Sequence, residues 1–227
     1  MSELIGIVGE SGTGKSTSLR NLPPNETIII NCVGKPLPFK GWKSNYTPFK
    51  GSSGGNYLST DIASDIIKAF TLISEKRPEI KYIVVDDWQY SMSNEFMRRS
   101  SEKGFDKFTE IGKNAWSILN AAKNLREDLK VFILTHSEVN AGDFGAPPNI
   151  KIKTIGKLLD DKINPMGLFT VLLFADVSKK DSGEMEYRLV TNNDGYYPAK
   201  SPMGMFESLY IGNDLKKISD LIDEYNN

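Results

Sequence analysis

Eight consecutive residues, Gly9-Glu10-Ser11-Gly12-Thr13-Gly14-Lys15-Ser16, restrict this chain more than any other feature. They fit the spacing G-x-x-x-x-G-K-[ST], a phosphate-binding loop whose context is a strand before it and a helix after it. Both flanks are present. Leu4-Ile5-Gly6-Ile7-Val8 is an apolar run of strand length, and Thr17 to Leu22 suits a helix that Pro23-Pro24 stops. Gly9, Gly12 and Gly14 permit backbone shapes closed to other residues and let N–H groups approach a polyphosphate. Lys15 is placed for the β- and γ-phosphates and the Ser16 hydroxyl for a magnesium ion, while the helix start adds free N–H groups and a favourable dipole. The predicted nucleotide cradle is therefore Gly9 through Thr17, including Glu10, Ser11 and Thr13, with ATP and Mg2+ as its ligands.

A second element answers the first. Lys81-Tyr82-Ile83-Val84-Val85-Asp86-Asp87 is an apolar strand ending in two carboxylates. Behind a phosphate-binding loop such a strand carries the magnesium shell, commonly through water, which assigns the metal to Ser16 and Asp86. Asp87 is the candidate to orient or deprotonate the attacking water. Lys130 to Leu134 is another strand, ending in Thr135-His136-Ser137-Glu138. In the subclass with an extra strand between these two halves, the tip of that strand faces the γ-phosphate, so His136 or Thr135 is placed to sense it. The catalytic set read from the sequence is Lys15, Asp87 and His136.

The rest of the chain frames these elements. Its 227 residues suit one α/β domain spanning 1–227, and 39% hydrophobic with 25% charged residues describe an ordinary globular protein. No apolar run reaches the roughly 18 residues of a membrane span and the start lacks a leader pattern, so the expected place is the cytoplasm and no membrane partner is expected. Cys32 is the sole cysteine, which excludes an internal disulfide and a cysteine metal cluster. A net charge of −1 excludes coating nucleic acid by bulk charge.

Thr27 to Cys32 reads as a buried strand. Residues 33–60, rich in glycine, proline and serine, read as a long mobile loop. Within it Lys35, Lys40, Lys43 and Lys50 alternate with Phe39, Trp42, Tyr46 and Phe49. Two readings stand: a surface for single-stranded nucleic acid, or an ordered loop whose rings cap the core or cover the base. Helices are predicted over Asp61 to Glu75, Trp88 to Ser100, Phe105 to Arg126 and Asp214 to Tyr225. Arg98, Arg99, Lys103, Lys107 and Lys113 form a possible basic face. A second mobile loop is read over 139–153; after its glycine- and proline-rich part, 139–150, come Lys151, Lys153, Lys157 and Lys162, with a short helix at Lys157 to Asp161. Leu168 to Asp176 and Glu186 to Thr191 form a hairpin through Lys179 to Gly183.

With the loop at Gly9 to Ser16, Asp86-Asp87 and Thr135-His136-Ser137-Glu138 in place, the chain resembles the phage RecA-like P-loop ATPases grouped with the Sak-type single-strand annealing proteins. The resemblance implies a three-layer α/β fold, a RecA-like P-loop NTPase with a mainly parallel central sheet, here ending in a C-terminal hairpin. It implies ATP binding and hydrolysis, binding or annealing of single-stranded DNA in recombination, a single-strand-binding protein as neighbour, and a homo-oligomer in which Lys151, Lys153 or Lys157 reaches the next subunit's nucleotide. A phage-encoded member acts in the host cytoplasm. The chain departs from the pattern in lacking an acidic residue directly after the second strand, which leaves Asp87 as the substitute and predicts slow hydrolysis. Two other classes fit the motifs, a nucleotide switch or replication accessory ATPase acting through a protein partner, and a small-molecule kinase. The absence of arginine from 139–150 argues against the kinase.

Overall fold

The computed structural model describes residues 1–140, 149–155 and 164–227. Among them a mostly parallel sheet of nine strands forms the centre. The strands are β1 (Glu3–Gly9), β2 (Thr27–Asn31), β3 (Tyr57–Ser59), β4 (Tyr82–Asp86), β5 (Lys130–Asn140), β6 (Asn149–Ile152), β7 (Val171–Lys179), β8 (Met185–Val190) and β9 (Tyr210–Gly212). Their order is β3-β2-β4-β5-β1-β7-β8-β9, with β6 paired to β5 beyond the main path. From β3 to β7 neighbours run parallel; β8 and β9 are antiparallel additions, as the predicted hairpin requires.

The α-helices are α1 (Trp42–Asn45), α2 (Ala63–Lys76), α3 (Gln89–Arg98), α4 (Asp106–Lys123) and α5 (Leu215–Asn226). Central strands read as continuous apolar runs because both of their faces are covered. In β4, Ile83 and Val85 face one core cluster with Phe70 of α2 and Ile118 of α4. Tyr82 and Val84 face a second cluster with Leu215, Ile218 and Ile222 of α5. Val131, Phe132, Ile133 and Leu134 of β5 are fully buried, each worth about 1.5–3 kcal/mol relative to exposure. Helix α2 forms where Ile66, Ala69, Phe70 and Ile73 recur on one face, with Asp65 in its first turn and Lys76 in its last. Asp214 caps α5 by accepting from the Lys216 and Lys217 N–H groups.

The topology positions the site. β5 lies between β1 and β4, so parallel strands from three separated parts of the sequence meet at one edge. Gly9 pairs in register with His136, and Asn31 with Asp86.

Three expectations change. The helix after the phosphate-binding loop is a six-residue 3₁₀ helix, Ser16–Asn21. Ser18 Oγ donates to the Lys15 carbonyl at 2.5 Å and Asn213 Nδ2 to that of Gly14 at 2.9 Å, so side chains compete for the acceptors of an α-helical first turn. A run this short contributes little macrodipole, so an anion bound here would depend on the loop N–H groups. Second, residues 33–60 are not a structureless loop. They carry α1, a 3₁₀ turn at Gly51–Ser53 and β3, held by Asn56, whose amide donates to the Pro24 and Asn45 carbonyls and accepts from Thr47 N–H. Third, most of the predicted 139–153 loop and the helix predicted over Lys157 to Asp161, with Lys162, lie outside the described residues. Of that loop, Val139 and Asn140 belong to β5, and 149–152 form β6. No helix among the described residues is long and apolar enough to cross a membrane.

Candidate nucleotide site

Leaving β1, the chain turns through Gly12 and Gly14 at φ 85° and 83°, a left-handed region natural only to glycine. At Gly14 a side chain is also excluded by space, because a Cβ would lie 2.5 Å from Asn213 Nδ2. Lys15 follows, 5% exposed, with Nζ donating to the Gly9 and Glu10 carbonyls at 2.8 and 2.7 Å. The lysine thus spans its own loop. Burial lowers its pKa to about 8 against the opposing pull of Asp87 and Asp86, so an arriving phosphate is met by an ammonium short of water.

Ser16 Oγ donates to Asp86 Oδ1 at 2.9 Å, joining the two predicted metal ligands. Asp86 is fully buried, and its Oδ2 has no hydrogen-bond partner among the described residues. Burial, then the charge of Asp87, pushes its pKa up to about 6, while Ser16, Lys35 and Lys15 pull the other way. An orphaned anionic oxygen beside a hydroxyl fits a cation. No cluster of three His, Cys, Asp or Glu side chains suited to a metal occurs among the described residues. Ser16 and Asp86 could hold a cation that takes its other ligands from phosphate and water, as magnesium does.

Asp87 departs from the strand at φ 60°, strained for a residue with a Cβ. The turn separates the two carboxylates: Asp86 sits behind Ser16, whereas Asp87 reaches the cavity wall. There Asp87 Oδ1 is 3.3 Å from His136 Nε2 and Oδ2 is 2.5 Å from Lys35 Nζ. Burial would raise its pKa, but His136 and Lys35 outweigh that and hold it at about 2. Gln89 Oε1 accepts from Thr135 Oγ1 and from His136 N–H, both at 3.2 Å, and fixes the middle of β5 against α3. The strand runs on past its predicted end at Leu134 to Asn140, so His136 stands where β5 leaves β1 rather than at a strand tip.

A cavity of about 770 Å³ runs along these groups, lined by Lys35, Asp87 and His136 and, on other segments, by Arg20, Tyr187 and Asn213. Of the predicted cradle, Ser11, Gly12, Gly14, Lys15, Ser16 and Thr17 line it. Gly9, Glu10 and Thr13 instead border a smaller cavity of about 200 Å³ beside β7. Glu10 contributes its carbonyl, which accepts from Lys15 and from Thr13 Oγ1. Sequence reasoning missed Gln89, Arg20, Tyr187 and Asn213, and read Lys35 only as one of four lysines in the 33–60 loop, with a nucleic-acid surface and an ordered capping loop both open, not as a partner of Asp87. Gln89 alone carried a signal, three residues beyond Asp86.

The aromatic and basic segments also resolve into particular contacts. Tyr46 is buried, and Phe39 and Trp42 pack against the same core cluster, while Phe49 packs against the other. The rings cap the core; Lys40, Lys43 and Lys50 remain exposed. On the predicted basic face, Arg98 pairs with Asp61, and Arg99 with Glu95, Glu102 and Glu110. Lys107 is buried, donating to the Glu102 carbonyl at 2.7 Å. That leaves Lys103 and Lys113 exposed. Lys153 N–H donates to the His136 carbonyl at 2.8 Å, bringing that lysine's backbone alongside His136.

No family model matches the chain, and a search of curated proteins finds no match. Among solved structures, the genome packaging NTPase B204 from Sulfolobus turreted icosahedral virus 2, in complex with ATP-gammaS, is similar over 84% of this chain and 92% of that one, with 8% sequence identity and a TM-score of 0.41. A likeness that distant says nothing about chemistry.

Proposed function

We propose that this chain is a magnesium-dependent P-loop ATPase that acts on single-stranded DNA. The observation that carries the ATPase reading is the fully buried Asp86, joined to the loop through Ser16 and keeping one carboxylate oxygen unpaired. Such a group is destabilising unless a cation completes it. Magnesium, held by Ser16 and Asp86, would supply charge neutralisation at the β- and γ-phosphates. Lys15 and the loop N–H groups would bind the same oxygens, and Thr17 and Arg20 line the same cavity. In hydrolysis a water oxygen attacks the γ-phosphorus as its bond to the β–γ bridging oxygen breaks, giving ADP and inorganic phosphate. Asp87 orients that water, whose proton passes to solvent because a carboxylate held at about 2 is a weak base, and His136 steadies the carboxylate.

The DNA reading is supported by the resemblance to the Sak-type group and by the exposed Lys40, Lys43 and Lys50. Because the neighbouring rings are packed inward, contact would be chiefly with phosphates and would weaken steeply with salt. A second reading, a slow nucleotide switch working through a protein partner, is favoured by one observation: Asp87 is already engaged by two side chains.

The test is ATP turnover by wild type and Lys15→Ala, with and without single-stranded DNA at low salt. The proposal predicts magnesium-dependent turnover that DNA stimulates and Lys15→Ala abolishes. Turnover indifferent to DNA, with no strand binding, would leave only the switch. Absence of any nucleotide binding would end both readings.

A further inference from the structure

We propose that Lys35 is a second cation for the terminal phosphate, supplied by the same chain, which Asp87 holds until a nucleoside triphosphate enters and takes it over. The inference rests on the triphosphate reading above and deepens it, because it assigns a residue that distinguishes triphosphate from diphosphate. Lys35 lines the same cavity as Asp87 and His136, and it meets His136 at the Asp87 carboxylate. Its Nζ lies 2.5 Å from Asp87 Oδ2, yet its side chain is 47% exposed while that of Asp87 is 1% exposed. The pair therefore joins a fixed acid to a cation that solvent can reach.

The backbone beneath Lys35 is fastened. Asn31, fully buried at the end of β2, accepts from the Val33 and Gly34 N–H groups at 3.1 and 2.7 Å and donates to the Lys35 carbonyl at 3.0 Å. This side-chain-built turn carries Lys35 beside the tip of β4, where Asn31 and Asp86 are register partners. A fixed main chain and a long flexible stem let the ammonium exchange partners without moving the fold.

Charge decides which partner it keeps. An ion pair with one half-exposed member is worth little on its own. A terminal phosphate brings more charge than one carboxylate, and a charge-assisted bond from Lys35 to it would outweigh the one to Asp87. Lys15 is poised in the same way, its ammonium resting on two carbonyls of its own loop. The exchange also vacates Asp87 Oδ2, leaving that oxygen to accept from water. Nucleotide arrival and readiness of the acid are then one event. Lys15 serves any polyphosphate, whereas Lys35 answers only to the third phosphate.

Calorimetric binding of ADP and of a non-hydrolysable ATP analogue, both with magnesium, tests this on wild type, Lys35→Ala and Lys35→Arg. Losing one charge-assisted contact predicts a roughly 10- to 100-fold drop in analogue affinity for Lys35→Ala. ADP affinity should stay within about twofold, since that contact is absent from the diphosphate complex. Lys35→Arg should restore most of the preference for the analogue. A Lys35→Ala protein that loses affinity for both ligands equally, or for neither, would make the lysine a structural partner of Asp87 and overturn the inference, leaving the ATPase reading in place. Failure of the wild type to bind either ligand would overturn both.

Discussion

Asp86→Asn isolates the energetic cost of keeping a metal site ready. The carboxyl is fully buried, with one oxygen bonded to Ser16 and the other unpaired, and its pKa stands at about 6 against an ordinary 3.8. The folded protein therefore binds this proton more tightly than the unfolded chain. No penalty exists below roughly pH 4; it grows as pH rises toward 6 and is constant above, amounting to about 3 kcal/mol at pH 7.5. Asparagine keeps an acceptor for Ser16 and removes the charge. Metal-free Asp86→Asn should thus be more stable than wild type by about 3 kcal/mol at pH 7.5, a rise of about 5–10 °C in Tm for a chain of this size. At pH 4.5 the gain should shrink to about 1 kcal/mol. Chemical and thermal unfolding in the presence of a chelator, at both pH values, reads these differences. Adding magnesium and nucleotide should then stabilise wild type far more than the variant. A variant that is less stable than wild type, or whose advantage does not change with pH, would refute the view that Asp86 is an uncompensated charge awaiting a cation.

Other perturbations read other parts of the site. Lys15→Met removes a charge-assisted donor to phosphate and should weaken triphosphate binding by roughly 10- to 100-fold while leaving a folded protein, as calorimetry and circular dichroism would show. Gly12→Ala meets open space and should cost about 1–2 kcal/mol for its left-handed backbone alone. Gly14→Ala adds a collision with the Asn213 amide and should cost clearly more; equal losses in urea melts would contradict the close packing of the loop on Asn213. The depressed pKa of Asp87 works in the opposite sense to that of Asp86. Its pairs with Lys35 and His136 stabilise the fold above roughly pH 4, and that stabilisation is lost as pH falls toward 2. Asp87→Asn should therefore flatten the acid limb of the stability profile, measured by circular dichroism.

What the sequence disclosed, and what it withheld, follows from how far apart the interacting residues lie. The loop from Gly9 to Ser16 is legible because its chemistry is contiguous, and the strands because burial on both faces makes them unbroken apolar runs. Asp86 and His136 were placed by the rule that parallel strand tips share one edge, which turns distant segments into neighbours once the strand order is assumed. No such rule reaches Lys35. Its position depends on the Asn31 side chain folding the turn after β2, and asparagine followed by a flexible stretch reads equally well as an ordinary loop. Asn213 reaches Gly14 across most of the chain through one amide, leaving no periodic trace. The aromatics of 33–60 show the converse difficulty: a ring that stacks on a base and a ring that seals a core have the same composition, and only packing separates them. Hydrophobic pattern thus specified the scaffold, and single polar side chains acting over distance specified how the scaffold holds its charges. The residue with the strongest claim to discriminate between nucleotides, Lys35, belongs to that second class, so its role is decided by the affinity ratio for triphosphate over diphosphate rather than by any motif.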